Sequence, residues 1–118
     1  MRFGRKSASD QNYYNKEVAL NELLGSFVAD NAAVSAVTDL DTVQTLMAAN
    51  EDRKGFSIFN DSAAILYVKL GASASLTDFS FRIVPQGYYE TSILNYTGIV
   101  TGIWASNQSG SARITEYT

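Results

Sequence analysis

Between Lys54 and Gly71 the chain reads KGFSIFNDSAAILYVKLG, and its apolar and polar positions alternate. Phe56 and Ile58 alternate with Ser57 and Phe59; Leu66, Val68 and Leu70 alternate with Ile65, Tyr67 and Lys69. Period two sends successive side chains to opposite faces of a sheet. Asn60-Asp61-Ser62 lies between the two runs and tolerates turn geometry, so the stretch predicts a β-hairpin.

The same format continues on both sides. Val34 to Thr38 predicts a first strand, Asp39-Leu40-Asp41 its turn, and Thr42 to Met47 a second strand. Ala48 to Arg53 is a polar connection. Beyond the central pair, Phe79 to Val84 alternates strictly, Pro85-Gln86-Gly87 is a turn, and Tyr88-Tyr89-Glu90 is a short strand. Gly98 to Trp104 is continuously apolar, which predicts burial on both faces, and Ala112 to Tyr117 closes the chain. Seven or eight short strands at a spacing of about 8–12 residues, with no helix between them, predict an antiparallel β-sandwich. Its expected core is Val37, Leu46, Phe56, Ile58, Leu66, Val68, Phe79, Phe81, Ile83, Ile99, Ile103 and Ile114.

Residues 1–30 follow a different period. Tyr13, Leu20, Leu23, Leu24 and Phe27 fall on one face of a helix; Ser9 or Asp10 caps its start and Gly25 stops it. The chain thus divides into an N-terminal arm with a short amphipathic helix, 1–30, and a β-sandwich domain, 31–118. Such a helix either packs across its own sandwich or grips a neighbouring subunit.

Composition narrows the chemistry. The chain has 118 residues, enough for one domain with a core, and a net charge of −3, which argues against a nucleic-acid partner. Cysteine and histidine are absent, removing the thiol nucleophile, the usual general base and the commonest metal ligands. No apolar run reaches the length of about 18 residues that a membrane span needs. The basic start, with Arg2, Arg5 and Lys6, is followed by polar residues, so no secretory signal is expected.

Individual constellations read as structure. Asp39 and Asp41 lack the spacing of a calcium loop and read as solvated turn residues. Glu51-Asp52 beside Arg53-Lys54 reads as a solvated loop. Ser57 and Lys54 fall on opposite faces of a strand, which argues against a Ser–Lys dyad. Asn60, Asn95 and Asn107 each begin a glycosylation pattern, a coincidence of turn composition. Gly98 and Gly102 sit in a strand pattern and make no phosphate loop. Tyr88, Tyr89, Tyr96 and Trp104 either line a sugar-binding groove or fill the core and interfaces.

An ordered series of motifs then stands out over residues 45–118: Ile58-Phe59-Asn60-Asp61-Ser62, LYVKLG from Leu66 to Gly71, the Phe79 to Ile83 strand, Gly87-Tyr88-Tyr89-Glu90, YTGIVTGIW from Tyr96 to Trp104, and ARITE from Ala112 to Glu116. The series resembles a small structural protein or domain of tailed-bacteriophage virions. Gln86 stands where that family has a glycine. The resemblance implies a non-enzymatic virion component, without catalytic residues or cofactors, assembled in the host cytoplasm. The leading reading is a homo-oligomeric capsid cement or decoration protein that binds neighbouring capsid subunits; the alternatives are a neck or tail accessory protein and a glycan-binding adsorption module. Candidate partner-binding residues are Arg2, Phe3, Arg5, Lys6, Tyr13, Leu20, Leu23 and Leu24 on the arm, with Tyr88, Tyr89 and Trp104 on the domain. Neither nucleic acid nor membrane is an expected partner.

Overall fold

The computed structural model describes residues 28–118. Eight strands form: β1 (Ala32–Thr38), β2 (Gln44–Met47), β3 (Gly55–Asp61), β4 (Leu66–Leu70), β5 (Phe81–Ile83), β6 (Tyr88–Glu90), β7 (Val100–Trp104) and β8 (Ser111–Tyr117). They make two four-stranded antiparallel sheets, ordered β1-β8-β3-β6 and β2-β7-β4-β5. The all-β antiparallel sandwich expected from the alternation is the architecture found.

The pairing has a simple logic. The first strand pairs with the last, the second with the seventh, the third with the sixth and the fourth with the fifth. The chain is therefore one long antiparallel ribbon with its tip at the β4–β5 link. Rolling the ribbon brings β3 against β8 and β4 against β7. This is the topology of an eight-stranded jelly roll.

The central pair of strands is not a hairpin. β3 belongs to one sheet and β4 to the other; Asn60 and Asp61, expected in a turn, are the last two residues of β3, and residues 62–65 carry the chain between the sheets. Phe56 and Ile58 face the core from one sheet, and Leu66 and Val68 face it from the other. Alternation records which side chains point inward and is blind to which sheet they come from. The hairpin lies later, between β4 and β5.

The core forms where the two inner faces meet. Phe56, Ile58, Leu66, Val68, Val100, Trp104, Ala112 and Ile114 have no exposed surface. Each large one contributes about 1.5–3 kcal/mol of transfer free energy. Gly102 makes room among them, since a Cβ there would lie 2.9 Å from Leu46 and 3.0 Å from Leu66. Of the expected core, Phe79 is 37 % exposed, packing edge-on against Tyr67 with ring centroids 4.9 Å apart. Val37, Phe81, Ile99 and Ile103 are half-buried. On β7, Thr101 is buried beneath the loop after β4, donating to the Gly71 carbonyl and accepting from the Ala74 amide, whereas Ile103 is only half covered.

Candidate functional site

Two buried polar networks hold the ends of the roll and account for much of the motif series. At one end Asn60, with no exposed surface, donates through Nδ2 to the carbonyls of Ala64 (2.8 Å) and Ile83 (2.9 Å). Its Oδ1 accepts the indole N–H of Trp104 at 3.0 Å. One amide thus ties β3, β5, β7 and the β3–β4 crossing together. Beside it Ser62 donates to Asp39 Oδ2 at 2.5 Å, and the same oxygen accepts the Gln108 amide at 3.1 Å. Asp39 is 1 % exposed, so the first aspartate of the β1–β2 turn is a buried acceptor rather than a solvated charge.

At the other end Arg53 does the equivalent. Its side chain has no exposed surface and donates to Glu116 (2.8 Å) and to the carbonyls of Ala48 (2.6 Å), Tyr96 (2.8 Å) and Gly98 (2.9 Å). Its guanidinium carbon lies 5.8 Å from the centre of the Phe56 ring. Burying a guanidinium is tolerable when its donors are met this fully. The reading of Glu51 to Lys54 as a solvated loop therefore fails at Arg53. The signal that was missed is the pairing partner, Glu116, which lies 63 positions away.

The two long sides of the sandwich differ. On the β5/β6 side Tyr89 stacks on Phe81 with centroids 4.1 Å apart and tilts against Phe56 at 5.9 Å, which closes the gap between the sheets. On the β1/β2 side lies a groove of about 400 Å³ lined by Ala33, Ser35, Leu46, Met47, Ala48, Ala49, Asn50 and Glu116. Strand β1 borders this groove and is exposed along almost its whole length, with Val34 at 75 %. Sequence reasoning identified β1 as a strand but not as the open edge, because strand order is not written in the alternation.

Of the candidate partner-binding residues, Arg2, Phe3, Arg5, Lys6, Tyr13, Leu20, Leu23 and Leu24 lie outside the described residues, as does the expected helix. Tyr88 is exposed on β6 and donates its hydroxyl to Glu90 at 2.8 Å. That bond to a carboxylate holds the phenol above its ordinary pKa of 10.0. Tyr89 is half-buried in the aromatic stack. Trp104 corrects the expectation outright: it is wholly buried and bonded to Asn60, so it cannot meet a partner or stack on a sugar. The structure therefore does not bring the three domain candidates to one surface.

Among the described residues no group of three or more acidic side chains could hold a metal ion, and no helix is long and apolar enough to cross a membrane. Comparison with protein-family models, curated proteins and solved structures finds no match for this chain.

Proposed function

We propose that this protein is a non-enzymatic structural component of a tailed-phage virion, a cement or decoration subunit that binds neighbouring capsid subunits. The observation that carries the reading is how the motif series converges. Asn60 of one motif receives Trp104 of another, and Glu116 of the closing motif receives Arg53 from the approach to the first. Residues far apart in the chain meet in pairs inside the roll. Their role is to lock a small scaffold, which suits a subunit that works through surface area rather than chemistry. The jelly roll is common among capsid and lectin domains, so the fold agrees with a virion role without selecting it.

Repetition on a symmetric shell would multiply weak contacts by multivalency. The test is copy number on purified particles, by quantitative mass spectrometry against the major capsid protein. A count in the hundreds places the protein on the capsid; a count of about six to twelve, matching neck or tail symmetry, moves it there. Absence from particles removes the reading. An adsorption module is the weaker alternative, because the indole that would have been its stacking platform is enclosed.

A further inference from the structure

We infer that strand β1 is a homodimer edge, pairing antiparallel with β1 of a second copy about Ser35. The argument begins with a comparison of the four sheet edges. β6 has three residues, includes Glu90 and follows the Pro85 turn. β5 has three residues, includes Arg82 and runs into the same proline. β2 has four residues, and its register shifts between Thr45 and Met47. Short length, charge, proline and bulges are the devices that keep edges from pairing. β1 has none of them. It runs seven residues, AAVSAVT, in unbroken register with β8.

The hydrogen-bond phase shows what the free edge offers. Asn31 exchanges bonds with Thr118, and the Asp39 amide donates to the Gly110 carbonyl. In an antiparallel ladder such pairs recur at every second residue, so odd-numbered residues from 31 to 39 face β8. Ala32, Val34, Ala36 and Thr38 therefore turn their N–H and C=O groups to the open edge, which has no strand partner among the described residues.

Only one symmetric register uses all four. With Ser35 opposite Ser35 of the second copy, Val34 meets Ala36 and Ala32 meets Thr38, and every outward amide finds an outward carbonyl. A shift by one residue either way about the axis leaves the outer residues unpaired. The side chains agree with this register. Val34 lies opposite the small Ala36 on the outer face, and Val37 lies opposite the small Ala33 on the groove face. The flanking charges do not meet their like: Asp30 falls opposite Leu40, and Asp39 opposite Asn31. Both grooves border β1 and would open onto the same seam, so the pairing also covers Ala33 and Ser35 of each copy. This inference stands apart from the virion reading and fails separately from it.

The experiment is sedimentation equilibrium on the full chain, with hydrogen exchange of the β1 amides. The expected result is a monomer–dimer equilibrium in which the amides of Ala32, Val34, Ala36 and Thr38 exchange slowly at high concentration and fast on dilution. Ala36→Pro deletes an amide that β8 does not use and should weaken the dimer about tenfold or more. Its fold is checked by the shielding of Trp104 from acrylamide. Charge variants give a test that does not depend on proline: Val34→Lys with Ala36→Lys should be monomeric, as should Val34→Glu with Ala36→Glu, and mixing the two should restore the dimer. A wild-type chain that stays monomeric, a dimer that survives the paired lysines, or a mixture that remains monomeric overturns the inference. Slow edge exchange in a monomer would also overturn it, showing that another segment of the same chain occupies β1.

Discussion

Single residues decide the stability of this roll, and Gln86 shows how a departure from a resembled motif can be read physically. Its φ is 62°, in the left-handed region that glycine adopts freely and other residues adopt at a cost of about 1–2 kcal/mol. The glycine of the resembled family at this position therefore relieves strain that the present chain carries. Gln86→Gly should raise stability by about 0.5–1 kcal/mol after glycine's extra chain entropy is subtracted, visible as a higher urea midpoint with an unchanged slope. The Gln86 amide bond to the Asn60 carbonyl is a backbone bond and survives the change. Arg53 lies at the opposite extreme. Arg53→Met keeps the bulk but removes the charged donor to the Glu116 carboxylate and the guanidinium donors to the Ala48, Tyr96 and Gly98 carbonyls. A loss of about 3–5 kcal/mol is expected, measured in the same urea titration.

At the scale of elements, the two sides of the sandwich make opposite demands on neighbouring tyrosines. Tyr89 closes the β5/β6 side by stacking on Phe81, whereas Tyr88, next in sequence, points to solvent. Tyr89→Ala should cost about 1.5–3 kcal/mol, less than a fully buried aromatic because Tyr89 is only partly buried. Tyr88→Ala should change stability by less than about 0.5 kcal/mol. Equal losses in the two variants would mean the stack does not seal that side. The same pair shows what was legible in the chain. Strand positions followed from alternation, and seven of the expected core positions, Leu46, Phe56, Ile58, Leu66, Val68, Ile83 and Ile114, are buried. Strand pairing was not legible, because residues facing one core from two sheets alternate alike, and the β3–β4 crossing therefore looked like a hairpin. Asp39 and Arg53 looked solvated because their partners, Gln108 and Glu116, lie 69 and 63 positions away. Trp104 was read as either core or groove, and its complete burial with the indole N–H bonded to Asn60, 44 positions away, separates the two.

For the whole molecule, the question is how the sandwich and the first 27 residues divide the work. The described core is built from Leu46 to Ile114, and the ribbon that makes the jelly roll begins at β1. Both polar locks, Asn60 with Trp104 and Arg53 with Glu116, also lie within it. A chain beginning at Val28 should therefore fold, because every residue of those locks and of that core is retained. Its single tryptophan should remain shielded from acrylamide until urea unfolds the sheets, which makes folding easy to follow. On the proposed virion role, attachment is a separate property. If residues 1–27 grip a neighbouring subunit, the truncated chain should fold normally and fail to bind particles stripped of the full-length protein. In the full-length chain the same residues should then be cleaved by protease in solution and protected on the particle. Truncated chain that binds as well as the full chain would assign attachment to the sandwich. A truncated chain that fails to fold would show instead that the segment packs on its own domain, and would make residues 1–27 part of the core rather than an arm.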